Sequence, residues 1–126
     1  MELVLSNEEL ENVIYNCLCD AVGTGYLGGY GLTEDLEALN YNKYRAEGDC
    51  FEDVVMKALR AGEAFHVIDE EGDGEYNASF TLAEARERLS SEKIALDIMD
   101  VVNEMGDVIT ADSIIQTALY GEIIFG

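Results

Sequence analysis

The sequence predicts an α+β fold, a small antiparallel sheet with four to five helices packed on one face of it. Two observations lead to this prediction. The stretch from Glu63 to Thr81 has the pattern of a β-hairpin and stands between two segments with helical periodicity. Strands and helices also do not alternate regularly along the chain, whereas in a parallel α/β sheet they would. With 126 residues the chain is long enough for one domain with a core but too short for two, so residues 1–126 are expected to form a single domain.

The predicted hairpin has a mostly apolar first strand, an acidic tip and a short return strand. Residues 64–68 form the first strand, Asp73-Gly74 is the best turn dipeptide, and residues 76–80 return. The tip resembles the first two-thirds of an EF-hand loop, which needs a bidentate glutamate at its twelfth position. That position is Phe80. A solvated acidic turn is therefore expected here, with no metal bound.

The first part of the chain carries a strand candidate at residues 2–5 and then a helix. Ser6-Asn7-Glu8-Glu9 is a capping box, with Ser6 as N-cap and Glu9 reaching back to its amide. The apolar residues that follow recur at helical spacing, and Gly23 ends the run. Cys17 lies on the apolar stripe of this helix, so it is expected to be a small core residue and not a nucleophile.

A glycine-rich segment follows at residues 23–32, with five glycines and two tyrosines. It lacks both the Lys-Ser/Thr of a phosphate-binding loop and a Gly-x-Gly-x-x-Gly frame. We expect a glycine-broken strand or loop in which Tyr26 and Tyr30 cover the core. Thr33 is then expected to cap a short helix through Leu39.

The remaining helices are predicted from their caps. Asp49-Cys50-Phe51-Glu52 is a second capping signal and Gly62 the matching C-terminal cap, while Thr81 begins a third capping box for a helix to about Leu89. Thr110 is expected to cap the last helix, which precedes an apolar tail. Between them, a helix ending near Gly106 carries its apolar residues on one face: Ile94, Ile98, Val101, Val102 and Met105.

Acidic residues dominate the composition. The 27 Asp and Glu residues face only seven Lys and Arg, a formal charge of −20, whereas a small soluble domain needs a magnitude of only about 2–8. Such an excess destabilises the folded state through self-repulsion, and it excludes direct binding to nucleic acid or to an anionic membrane. A basic partner is therefore expected. High-salt adaptation or a merely solvated face is the alternative interpretation.

Two groups of acids are the candidate contact residues. Five carboxylates crowd the hairpin tip, and four lie around the start of the second capped helix. We call the first the tip cluster and the second the helix-start cluster. The tip cluster is Asp69, Glu70, Glu71, Asp73 and Glu75. The helix-start cluster is Glu47, Asp49, Glu52 and Asp53.

Catalytic, metal and membrane signals are weak in this sequence. The three cysteines have no metal-type spacing, and the single histidine, His66, lies in an alternating strand pattern with no nucleophile at motif distance. We therefore expect no enzyme activity, no cofactor and no metal. No segment reads as a membrane span or signal peptide, and a reducing cytoplasm suits the thiols, so the expected location is the host cytoplasm.

The segment from Thr110 to Gly126 carries a resemblance. Its Asp112-x-Ile-x-Gln-x-Ala-Leu-x-Gly-Glu-Ile pattern resembles the C-terminus of small uncharacterised acidic proteins of bacteriophages and prophages. The beginning of the chain is similar too, although those proteins often carry Gly-Tyr-Trp where this chain has Gly25-Tyr26-Leu27. The resemblance implies an origin in a mobile element and no settled activity.

Acidity, small size and this resemblance together favour an inhibitor of host defence. In this hypothesis the acidic clusters occupy the basic nucleic-acid-binding surface of a CRISPR effector or restriction enzyme. One alternative is a binder of a small nucleotide signal that uses Tyr26 and Tyr30. Another is a non-enzymatic phage accessory protein, which could pair with itself as a homodimer.

Overall fold

The structure of the protein is a computed structural model that describes residues 5–23 and 25–126. The strand predicted at residues 2–5 lies outside the described residues except for Leu5, which belongs to no element. The described residues form an α+β fold with three strands and six α-helices. The strands are β1 (Leu32–Glu34), β2 (Phe65–Asp69) and β3 (Ala78–Phe80). The helices are α1 (Asn7–Cys17), α2 (Tyr41–Tyr44), α3 (Phe51–Arg60), α4 (Leu82–Arg88), α5 (Ala95–Val102) and α6 (Val108–Tyr120).

The helix count exceeds the predicted four to five. The additional element is α2, a single turn in a segment whose sequence is ambiguous. A contact with the loop between α3 and β2 holds it in place, because Asn40 and Tyr44 both donate hydrogen bonds to the Glu63 carboxylate at 3.0 Å. These two hydrogen bonds lower the pKa of Glu63.

The sheet is antiparallel in the order β1-β2-β3. The predicted hairpin is confirmed, since β2 pairs with β3 with Phe65 opposite Phe80. Burial alternates along β2: Phe65 and Val67 are buried while Ile68 is exposed. One face of the sheet therefore packs on the core.

The helix predicted to begin at Thr33 is wrong. Residues 32–34 form strand β1 and pair with β2, with Leu32 opposite Asp69. The Asp35 amide extends this pairing by donating to the His66 carbonyl at 2.9 Å. A local capping signal gives no information about a strand partner that lies more than 30 residues away in the chain.

Capping determines where the helices begin. The boxes at Ser6 and Thr81 are both confirmed. The expected start of α6 at Thr110 is wrong, because Asp107 is its N-cap and accepts a hydrogen bond from the Thr110 amide at 2.9 Å. The stronger cap thus lies three residues earlier. After α1 the chain continues as a π-helical turn, Leu18–Gly23, and Gly23 ends the run as predicted.

Helix α6 lies at the centre of the core. It contacts α1, α4, α5 and β3, and every side chain from Ala111 to Leu119 except that of Ser113 is buried. Arg88 ties α4 and the sheet to the end of α6, because it donates hydrogen bonds to the carbonyl oxygens of Ser79, Ala118 and Leu119. A cation at this position also favours the helix dipole. The buried apolar side chains of the described residues, apart from that of Val54, form one cluster, which includes Cys17 as predicted.

Asp69 organises the hairpin tip. Its side chain is only 3% exposed, and its carboxylate accepts hydrogen bonds from the amides of Gly72 at 2.7 Å and Tyr76 at 3.1 Å. The Asp69 amide in turn donates to the Asn77 side chain at 2.7 Å. A side chain on Gly72 would not fit, because its Cβ would lie 2.7 Å from the Asp69 carboxyl carbon.

Gly72→Ala is therefore expected to lower the free energy of unfolding by about 1–3 kcal/mol, since it displaces a buried, hydrogen-bonded carboxylate. The matched control is Gly28→Ala, where no atom lies within 4 Å of the new Cβ. Urea denaturation followed by circular dichroism measures both. Equal midpoints for the two variants would show that the Asp69 turn does not constrain the hairpin.

Candidate interaction surface

The tip cluster divides into one internal and four external carboxylates. The sequence predicts Asp69 to be a contact residue, but it is buried and its carboxylate accepts a hydrogen bond from the turn backbone. The other four residues of the cluster are exposed. Local hydrogen bonding explains why Asp69 differs from the other four, because a carboxylate near a turn can accept hydrogen bonds from amides a few residues ahead.

The four exposed residues of the tip differ in how strongly their surroundings constrain them. The side chain of Glu71 lies against Gly31, where a Cβ would meet it at 2.7 Å, and Gly31 has a φ of +82°. Asp73 has a φ of +58°, a conformation in which Asp and Asn are among the best tolerated non-glycine residues. Glu70 and Glu75 are exposed on either side of this turn.

The carboxylates of the helix-start cluster make more contacts within the protein than the sequence suggests. Asp49 lies 2.5 Å from the Lys57 ammonium and accepts the Ala46 amide. Asp53 accepts hydrogen bonds from the Cys50 amide at 3.2 Å and the Tyr15 hydroxyl at 3.0 Å. Hydrogen bonds from Cys50 and Tyr15 lower the pKa of Asp53, so it stays ionised.

The other two members of this cluster differ in exposure. Glu47 is exposed, while Glu52 is half-buried, with its carboxylate close to Gly23. Fewer carboxylates are therefore exposed in the helix-start cluster than at the tip.

Basic side chains are largely paired with oxygen atoms of the same chain. Within residues 5–23 and 25–126, four Lys and Arg residues make such contacts: Lys57 with Asp49, Arg60 with Glu11, Arg86 with Leu5 and Asn7, and Arg88 with Glu84 and the three carbonyls described above. Seven cations cannot neutralise 27 carboxylates, so the molecule keeps a large excess of negative charge. The negative potential outside the molecule is correspondingly strong.

The tyrosine-rich segment is part of the core boundary. Residues Tyr26–Tyr30 form a 3₁₀ turn. The Tyr30 ring stacks on Phe125 with centroids 4.8 Å apart, and its hydroxyl donates to the Asp112 carboxylate at 2.8 Å. Tyr26 lies edge-on to Tyr30. The expectation that both tyrosines cover the core is therefore met by Tyr30, while Tyr26 remains partly exposed.

A depression beside Tyr26 is the feature nearest to the predicted small-molecule site. Asp20 and Asp107 line it together with Gly25 and Val108. Two carboxylates would repel a phosphorylated ligand, so this geometry does not favour a nucleotide pocket.

The residues of the phage-like pattern have structural roles. Gln116 is fully buried, and its amide nitrogen donates to Asp112 at 2.9 Å and to the Phe125 carbonyl at 3.0 Å. Its amide oxygen accepts from the amides of Ile124 and Phe125, both at 2.8 Å. Gly121 ends α6 with a φ of +78°. The pattern therefore describes how the tail 122–126 is fixed to α6.

Asp112 is an ionisable group in this buried network. It is 5% exposed, and one of its oxygens, Oδ1, has no hydrogen-bond partner among the described residues. Burial raises the pKa of Asp112 above its ordinary value of 3.8, against the opposing effect of the hydrogen bonds from Tyr30 and Gln116.

The raised pKa gives Asp112 a predictable pH dependence. Because the folded chain holds this proton more tightly than the unfolded chain, the contribution of Asp112 to the free energy of unfolding falls as pH rises above 3.8. Asp112→Asn can keep both hydrogen bonds and removes the charge. We expect it to be within about 1 kcal/mol of wild type or more stable at neutral pH, and Asp112→Ala to cost about 1–3 kcal/mol.

Urea denaturation of wild type and Asp112→Asn at about pH 3 and about pH 7 tests this prediction. The stability of the Asn variant relative to wild type should increase with pH. A constant difference would mean that Asp112 titrates alike in the folded and unfolded chains.

The outer face of α5 carries exposed apolar residues that helical periodicity alone does not predict. The sequence predicts Val102 and Met105 on the apolar face of a helix that ends near Gly106, but α5 ends at Val102 and both residues are exposed, Met105 to 76%. Ile94 and Ile98 are buried as expected. The apolar residues surround much of α5, so periodicity alone could not separate the buried side from the exposed one.

Thiols and histidine give no sign of a catalytic or metal centre. Cys17 is buried and burial raises the pKa of its thiol, whereas Cys19 and Cys50 are exposed. His66 is half-buried on the strand face away from the core. In the part of the chain that the structure describes, no three His, Cys, Asp or Glu side chains converge as they would on a metal ion.

Comparisons with protein-family models, curated proteins and solved structures found no match to this chain. Within residues 5–23 and 25–126, no helix has the length and apolar character needed to cross a bilayer.

Proposed function

We propose that this protein is a binding protein whose acidic surface occupies the basic, nucleic-acid-binding surface of a partner protein. The observation that carries the proposal is the group of four exposed carboxylates on the hairpin tip: Glu70, Glu71, Asp73 and Glu75. Together with the resemblance of the tail to phage proteins, it supports the role of an anti-defence inhibitor acting on a CRISPR effector or a restriction enzyme.

The physical basis is electrostatic competition. Surfaces that bind nucleic acid present Lys and Arg to phosphates and release counterions when they do so. A rigid turn that carries several carboxylates can engage the same cations. Electrostatic attraction speeds the encounter, and its range is set by a screening length of about 8 Å at physiological salt. The Asp69 turn fixes the backbone from which these carboxylates project, which limits the entropy lost on binding.

The tip is a better candidate than the helix-start cluster. In the latter, Asp49 and Asp53 already accept hydrogen bonds from Lys57, Tyr15 and the backbone, and breaking those contacts would oppose binding. The nucleotide-signal alternative is less favoured, because the Tyr30 hydroxyl is bonded to Asp112 and the nearby depression is acidic. The accessory-protein alternative and the homodimer are hypotheses that rest on the sequence alone.

Capture from a host lysate followed by competition tests the proposed function. Tagged protein captures its partner at low salt and releases it at high salt. The purified partner is then titrated with labelled nucleic acid in the presence of this protein. We expect mutual displacement and a steep loss of affinity as salt rises. A ternary complex that holds nucleic acid and this protein together would contradict the proposal.

A further inference from the structure

An exposed apolar row runs along α5. Leu96 is 82% exposed, Met99 and Val102 are each 39% exposed, and the three lie at successive spacings of three residues. Residues three apart on a helix are neighbours, roughly 5–6 Å between Cβ atoms, so these side chains form a continuous strip. Met105 and Ile109 follow the helix and are also exposed. A strip of this kind exposes apolar area that a partner can remove from water.

An acidic row lies beside the apolar row. At 100° per residue, Asp97 and Asp100 fall on one side of the strip, three residues apart within α5. Asp107, the cap of α6, lies close enough to repel Asp97. Burial together with the charges of Asp100 and Asp107 raises the pKa of Asp97. The row therefore carries closely spaced negative charges next to an apolar surface.

The two rows define the chemistry of an occupant. A helix with apolar residues at three- and four-residue spacing can bury them against Leu96, Met99 and Val102. Lys or Arg residues beside that stripe would meet Asp97 and Asp100. The unbranched side chains of Met99 and Met105 adapt to different apolar partners. A second copy of the chain fits poorly, because its own acidic row would meet this one in a molecule that already carries a charge of −20.

We propose that the outer face of α5 is a docking site for a basic amphipathic helix of a partner protein. The site is separate from the hairpin tip, and it depends on apolar contact as well as charge. It therefore goes beyond the proposed function: the face can bind such a helix whether or not the tip competes with nucleic acid.

A synthetic helix of leucine and lysine, with its leucines along one face, is the probe. A scrambled peptide of the same composition is the control for non-specific attraction to an acidic protein. Fluorescence anisotropy measures both. We expect the amphipathic peptide to bind at least about tenfold more tightly than the scrambled one, because only it presents a continuous apolar stripe.

Three variants locate the binding surface. Leu96→Ser should weaken binding about tenfold, and Asp97→Asn with Asp100→Asn should weaken it several-fold and flatten its salt dependence. Glu70→Gln with Glu75→Gln removes the same number of charges from the tip and should change binding less than about twofold. All substituted positions except Asp97 are exposed, and circular dichroism checks that each variant is folded.

Three results would overturn the proposal. The first is equal binding of the amphipathic and scrambled peptides. The second is unchanged affinity of the folded Leu96→Ser variant. The third is a dimer in analytical ultracentrifugation that Leu96→Ser dissociates, since the occupant of the face would then be a second copy.

Discussion

Gln116→Ala is expected to destabilise the protein by about 3 kcal/mol and to release the tail 122–126. Four hydrogen bonds end on this buried amide, each contributing about 0.5–1.5 kcal/mol, and truncation also leaves a cavity. The tail would then keep the contacts of Phe125, whose ring centroid lies 4.8 Å from that of Tyr30 and 5.1 Å from that of Tyr76.

Urea denaturation and limited proteolysis measure the two effects separately. Gln116→Met is the matched control, because it preserves the volume of the side chain and removes only its hydrogen bonds. A double-mutant cycle with Phe125→Ala should be strongly non-additive, since both substitutions remove the same attachment. An unfolding midpoint for Gln116→Ala close to that of wild type would mean that the tail contributes little to the fold.

This attachment illustrates what the sequence could and could not predict. The helix starts at Ser6 and Thr81 and the turn at Asp73-Gly74 were predictable, because capping boxes and hairpin turns depend on residues within a few positions of one another. Burial of Cys17 followed from helical periodicity. These features need no knowledge of the rest of the molecule.

Features that depend on distant partners were not predictable. Strand β1 exists because β2 lies beside it. The local sequence alone suits a helix with Thr33 as its N-cap equally well. The acids of the candidate site show the same limit. Asp69 and Glu70 are neighbours of identical charge, but only Asp69 turns inward, where turn amides satisfy it. Composition therefore predicts an acidic surface without identifying which carboxylates form it.

The structure changes how the acidic surface should be tested. Asp49 and Asp53 support their own helix, so reversing them would confuse loss of fold with loss of binding. Glu71 packs against Gly31 and is better left in place. The remaining exposed acids of the tip are suitable, with asparagine at residue 73 because it tolerates a positive φ. The tip variant is Glu70→Lys, Asp73→Asn and Glu75→Lys.

A control variant with the same change in formal charge distinguishes a local contact from a general effect of charge. Its substitutions lie on exposed residues of other elements, α1, the loop after β1 and α4. The control variant is Glu8→Gln, Glu37→Lys and Glu87→Lys.

The tip variant is expected to bind the captured partner about ten- to a hundredfold more weakly than wild type. An exposed ion pair contributes about 0.2–1 kcal/mol, so single substitutions should be mild, while three adjacent changes lose their contributions together and two of them add repulsion. The control variant should lose only the small part of the affinity that comes from long-range attraction, because charges farther apart than the screening length of about 8 Å interact weakly. Competition against labelled nucleic acid at two salt concentrations measures both variants. If the tip and control variants displace nucleic acid equally well, the hairpin tip is not the contact surface and occupation of a nucleic-acid site through it is wrong.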